Sequence, residues 1–148
     1  MELLLDIQRV VDIPVTDNEF YLWVKTVLEA EHYDDTELTI RIVGETESAT
    51  LNEQYRKKKG PTNVLSFPFE MPEGIELSLL GDLVICAPVV KKEAEEQNKN
   101  EKAHWAHMVT HGTLHLLGYD HINSADADIM EAKETGILKG LGYADPYR

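Results

Sequence analysis

Hydrophobic and polar positions fall into short blocks whose period changes along the chain. Leu3 to Ile7 reads as a short strand. Pro14, Thr16 and Asp17 then punctuate before FYLWVKTVLEAE, where Phe20, Trp23, Val24, Val27 and Leu28 recur at the spacing of one helix face. Leu38 to Val43 alternates apolar and polar residues with β-branched side chains, the pattern of a half-buried strand, and stops at Gly44. Ser48 to Arg56 gives a short helix with Leu51 and Tyr55 four residues apart. In RKKKGPTNVLSFPFE a basic run and a Gly-Pro turn lead into the apolar stretch Val64 to Phe69. Pro68 confines that strand to a sheet edge or ends it, because proline gives no hydrogen bond to a ladder. Glu70 to Leu80 reads as an acidic loop, followed by Gly81, Asp82 and a fourth strand, Leu83 to Cys86.

Pro88 opens a helical region through KKEAEEQNKNEK that breaks near Asn98 to Asn100. A second helix, from Lys102 to Leu117, ends at Gly118, a residue suited to the left-handed turn at a helix C-terminus. Ser124 is the expected cap of a last helix in which Ile129, Ala132, Ile137, Leu138 and Leu141 supply apolar contacts. There is no internal repeat and no low-complexity linker. Strands and helices mix without a regular βαβ alternation, so the expectation is a single α+β domain over 1–148, with a small mixed four-stranded sheet packed with helices.

Charge narrows the function. The 148 residues hold 14 Lys and Arg against 27 Asp and Glu, a formal net charge of −13. Such a field repels phosphate at a distance and argues against a broad RNA-binding or lipid-binding surface, though not against a local basic patch. The amino terminus MELLLDIQRV carries two acids and no sustained apolar run, so no signal peptide is expected, and nothing approaches the length of a membrane span. The lone Cys86 follows Leu-Val-Ile and reads as a small buried hydrophobe. A cytoplasmic protein without membrane partners is expected.

Five of the six histidines (His104, His107, His111, His115 and His121) crowd the segment 104–121, where the chain average gives about 0.7. On a helix, residues four apart stand about 6 Å apart along the axis and about 40° apart around it, so His111 and His115 project together. Gly118 lets the chain turn back and bring His121 to the same point, giving H-x3-H-x5-H. Those are the ligand positions of the HExxHxxGxxH zinc-protease signature, with Gly112 where the protease carries its glutamate base. Three histidines on zinc leave one position open, the mark of a catalytic metal. His107 and His111 are also four apart, so spacing alone does not make the ligand set unique. His104 and His107 read as hydrogen-bonded core histidines, and His32 as a surface residue. Asp120 can orient a ligand from behind or serve as a cap or surface group.

HGTLHLLGYDH, YRKKKGPTNVLSFPFE and LLGDLVIC, with AHWAHMVTHG and the terminal LGYADPY, resemble the YbeY family of bacterial endoribonucleases and ribosomal RNA maturation factors over nearly the whole chain. The resemblance implies a compact α+β fold with a metal helix like that of zinc proteases. It implies one Zn2+ on His111, His115 and His121, a place that other divalent transition metals can also occupy. Single-strand-specific cleavage in 16S rRNA 3′-end maturation and ribosome quality control follows from it. Ribosomal RNA and the ribosome are the implied partners, with ribosomal proteins or an assembly GTPase as candidates for delivery.

Arg56 is the family's other functional position, and Asp82 recurs in its pattern as a supporting residue. Catalysis then falls to Arg56 and His111, and RNA positioning to Arg56, Lys57, Lys58 and Lys59. Read without the family, that run is first of all a solvated turn. Asn63, Ser66, Phe67 and Phe69 offer polar and stacking groups beside it, the phenylalanines being more ordinarily core. Two alternatives stand beside the nuclease: a metal-dependent peptidase or other hydrolase, which a glutamate at 112 would have favoured, and a non-catalytic ribosome assembly factor with structural zinc.

Overall fold

The chain is described by a computed structural model over residues 2–69, 79–120 and 123–147. Strands β1 (Leu3–Arg9), β2 (Thr36–Val43), β3 (Val64–Pro68) and β4 (Leu79–Cys86) form one mixed sheet in the order β1-β2-β4-β3. β1 and β4 flank β2 in parallel, and β3 pairs antiparallel with β4 on the outer edge. That edge is where Pro68 costs no ladder hydrogen bond.

Five helices cover the sheet: α1 (Asp17–Ala30), α2 (Glu45–Arg56), α3 (Ala87–Glu96), α4 (Glu101–Leu116) and α5 (Ser124–Gly140). Strand alternation sends Ile40, Ile42, Leu83 and Ile85 into the main core, with Phe20, Trp23, Val24, Leu28, Val90, Trp105 and Val109 from the helices. Phe20 meets Trp23 and Trp105 edge-on, at ring-centroid distances of 5.7 and 6.0 Å. Val43, Leu65 and Val84 form a smaller core on the opposite face, where Leu51 and Phe67 pack. Cys86 is fully buried, and burial pushes its thiol up.

α4 is the central helix. From His104 to Leu116 every residue is buried except His111 and His115, so it has no polar face and no amphipathic period. Its C-terminus closes as the sequence leads one to expect. Gly118, at φ 105°, donates to the His115 carbonyl, and Tyr119 to that of Leu114, the paired bonds of a left-handed helix stop.

The elements start at slightly different places from those the sequence suggests. α2 begins at Glu45 instead of Ser48, capped by Gly44, with Glu45 and Glu47 in the first turn, where carboxylates favour the helix dipole. β4 begins at Leu79, inside the stretch read as loop; residues 70–78 of that stretch lie outside the described residues. The cap of α5 is Asn123, not Ser124: its side chain accepts from the Asp126 amide at 2.9 Å. Ile129 and Ala132, expected in the core, are exposed, and Met130 and Glu134 are buried instead. Among the described residues no helix is long and apolar enough to cross a membrane.

Candidate functional site

His104, His107, His111 and His115 form a row along α4, with successive ring centroids 5.9, 6.3 and 4.6 Å apart. Each of the first three is tied to a carboxylate. The His104 Nε2–H donates to Glu93 Oε1 at 2.9 Å, and Asn63 Nδ2 donates to the same carboxylate. His107 Nε2 lies 3.3 Å from the Tyr147 hydroxyl and 3.7 Å from Glu134 Oε2. His111 donates through Nδ1 to Glu134, and the Tyr147 hydroxyl donates to the other Glu134 oxygen. Both His104 and His107 are thus buried and hydrogen-bonded, as expected of core histidines.

Glu134 is fully buried. Burial on its own would raise its carboxyl, but the His107 and His111 rings and the Tyr147 hydroxyl outweigh that and hold it at about 2. The same contact, together with burial, pushes the Tyr147 phenol up. Burial draws His107 below the usual imidazole range, against the pull of Glu134.

His111 and His115 open onto a cavity of about 580 Å³ that is also lined by Arg56, Asn63, Val64, Ser66 and Asp120. Arg56 arrives at the C-terminus of α2, and Lys57 leaves that helix in a left-handed conformation, at φ 59°. Two buried α2 side chains hold the following loop. Ser48 Oγ donates to the Thr62 carbonyl and accepts the Thr62 amide, and Asn52 Nδ2 donates to the Gly60 carbonyl at 2.9 Å. From β3, Ser66 Oγ donates to the Gly112 carbonyl at 3.2 Å, which pins the strand to α4 beside the histidines.

Gly112 faces the sheet, not the cavity. A Cβ there would stand 2.8 Å from a Leu83 methyl and 3.2 Å from one of Val64. A side chain at this position must displace the Leu83 methyl, so the residue that distinguishes this helix from the protease signature stands where α4 packs closely on β3 and β4.

Of the expected site residues, the structure brings Arg56, His111, His115 and Asp120 to one cavity. Lys57, Lys58 and Lys59 are exposed on the adjoining loop. His121 lies outside the described residues. Asp82, expected as a supporting residue, is not among the residues that line this cavity. It pairs with Phe67 across β3 and β4, one residue out of phase with the Leu83 that meets Gly112, and alternation turns it to the other face. There it lines a separate cleft with Glu37, Thr39, Phe67 and Phe69. Phe67 also stacks edge-on with Tyr55 at 5.2 Å, away from the histidines.

The carboxylate that meets His111 is Glu134, which the sequence reading missed. Its sign was available: an acid in the middle of the last helix, four residues after Met130, on the face that α5 buries. Two donor arrangements suit a metal ion. His107, His111 and Glu134 place ligand atoms within 4.8 Å of one another and could hold an ion directly. In the other arrangement the Nδ1–H of His111 stays on Glu134, the neutral tautomer is fixed, and Nε2 becomes the ligand atom beside His115. Either way the donor set is nitrogen-rich and fits a divalent transition metal.

The sequence pattern of the endoribonuclease YbeY family matches residues 7–142. A Methylococcus capsulatus endoribonuclease YbeY is 59% identical over 145 residues, covering 97% of this chain and 95% of the relative. The Alteromonas mediterranea endoribonuclease YbeY is 53% identical, covering 99% of this chain and 98% of the relative. A Thermotoga maritima solution structure shares the fold, with a TM-score of 0.60 at 24% identity over 99% of each chain. On the sequence match and the shared α+β fold, the chain belongs to the endoribonuclease YbeY family and so to the nucleases.

Proposed function

We propose that the chain is a zinc-dependent, single-strand-specific endoribonuclease of the cytoplasm, acting in 16S rRNA 3′-end maturation and ribosome quality control. One observation supports this above the others: a guanidinium, Arg56, and two helix-borne imidazoles, His111 and His115, line the same cavity. His111, His115 and His121 would hold the ion, with Glu134 fixing the His111 ring. When bound, the ion supplies Lewis acidity to phosphoryl oxygens.

The chain's own groups do the rest. The planar fork of Arg56 binds a phosphate through two parallel hydrogen bonds and stabilises charge that develops on it. Lys57 to Lys59 hold the flanking backbone, and Asn63 and Ser66 offer hydrogen bonds on the cavity wall. Ribosomal RNA is the substrate, delivered within the ribosome or by a ribosomal protein or assembly GTPase. An acidic chain with so few exposed cations on the site needs such delivery. The peptidase alternative lacks its usual base, since Gly112 stands where the protease signature carries a glutamate.

The test measures metal content and cleavage of a structured rRNA fragment for the native chain, His115→Ala and Arg56→Ala, with circular dichroism to confirm folding. His115→Ala should lose metal and cleavage; Arg56→Ala should keep metal and lose cleavage. Equal nuclease activity in all three would overturn the proposal. Cleavage absent in the well-folded native chain as well as in its metal-stripped form would favour the non-catalytic assembly factor.

A further inference from the structure

A second cavity, about 340 Å³, adjoins the first across Asn63 and His111, which line both. Its other walls include Glu93, Lys99, His107, Pro146 and Tyr147. The proposed phosphate chemistry does not use it. Three features bear on its occupant. Its size is at the small end of ligand cavities, room for one nucleoside. The Pro146 and Tyr147 side chains give a flat, partly apolar wall, and the Tyr147 ring is braced edge-on against His107 at 5.3 Å. Lys99 is the only lysine or arginine on its described wall and, although partly buried, makes no ion pair among the described residues. The two carboxylates whose charge reaches Lys99, Glu93 and Asp145, are held by other donors: Glu93 by His104 and Asn63, Asp145 by the Tyr147 amide and the Thr135 hydroxyl.

Resting on the ribonuclease reading, we propose that this second cavity binds the nucleotide next to the scissile phosphate, its base against the Pro146–Tyr147 wall and its phosphate on Lys99. A polymer cut at Arg56 and His111 must leave the first cavity on some path. This one shares Asn63 and His111 with the site and has Lys99 on its wall, as the first has Arg56. In a chain of net charge −13, one cation on each of two adjoining cavities makes a track for a single strand. A duplex cannot enter a space of one nucleoside, which ties the cavity to single-strand preference.

The test uses the metal-loaded full chain and an RNA oligonucleotide with one cleavage site, in which each nucleotide flanking the cut is replaced in turn by an abasic residue. One flanking replacement should raise KM about tenfold with kcat held, as expected when a stacked base is lost. Gln97→Trp, which fills the cavity, should make intact and abasic substrates equivalent. Lys99→Met should raise KM and reduce the slope of log K against log salt by about 0.7, one phosphate contact on a single strand. Equal cleavage of intact and abasic substrates by the native chain, a persistent abasic effect in Gln97→Trp, or an unchanged salt slope in Lys99→Met would each overturn the subsite. A native chain that cleaves none of the oligonucleotides would overturn the ribonuclease reading itself.

Discussion

Glu134 brings one carboxylate to the His111 Nδ1–H and the Tyr147 hydroxyl, within 3.7 Å of His107, at a position with no solvent exposure. A buried charge survives there only because its neighbours satisfy it. In the proposed arrangement, with His111 Nε2 toward the ion, this contact fixes the His111 tautomer. Substituting Glu134→Gln keeps the volume and an acceptor but removes the charge that makes Nε2 a stronger base. Metal affinity should fall about tenfold, the lower end for such supporting groups, read by competition with a chromophoric chelator while circular dichroism stays native. Unchanged affinity would favour a purely structural role for this acid. Glu31 shows the same logic nearer the surface: the Tyr119 hydroxyl donates to it, and Lys133 forms an ion pair with it at 3.0 Å. Burial raises its carboxyl, but these partners win and it lies below the ordinary value. A depressed carboxyl stabilises the fold above its unfolded pKa and loses that contribution as pH falls through its folded one. Glu31→Gln should therefore lower Tm at neutral pH and leave it unchanged in acid where both states are protonated; an equal loss at both would refute the linkage.

At the scale of elements, α4 explains what could and could not be foreseen. Its ends and its histidine row follow from local chemistry: Asn100 accepts from the Lys102 and Ala103 amides at the start, and Gly118 closes the end. The i, i+4 geometry that puts His111 beside His115 is a property of any helix. Glu134 and Tyr147 reach the site only through packing of α5 and the C-terminal segment on α4, and no local period encodes that. Asp82 shows the complementary case. Its place in the GDL pattern is visible, but the face it occupies depends on strand phase, and a register shift interrupts the β2–β4 pairing between Glu37 and Leu38. Gly112 adds a quantitative expectation. A methyl group there must displace the buried Leu83 side chain, so Gly112→Ala should cost about 1–3 kcal/mol, as overpacking does, even though alanine favours a helix. Thermal or urea unfolding checks it, and a stability equal to native would show that α4 has slack against the sheet.

The whole molecule sets the terms on which these parts meet RNA. The long-range field of the −13 charge opposes approach of a polyanion, while Arg56 at the end of α2 and Lys57 to Lys59 after it lead into a loop fastened to that helix by Ser48 and Asn52. Attraction is therefore local and confined to the last few ångströms, where counterion release governs it. Binding of isolated single-stranded RNA should be weak and should fall steeply with salt. Each phosphate contact contributes about 0.7 to the slope of log K against log salt on a single strand, so replacing Lys57, Lys58 and Lys59 together by glutamine should flatten that slope by about 2. The replacement leaves the buried loop anchors untouched, and the variant should keep native stability and metal content. Fluorescence anisotropy across a salt series measures the slope directly. A slope unchanged in the triple variant would mean that the loop is solvated and that RNA crosses the acidic surface by another route, whereas tight, salt-insensitive binding by the native chain would contradict an electrostatically guarded site altogether.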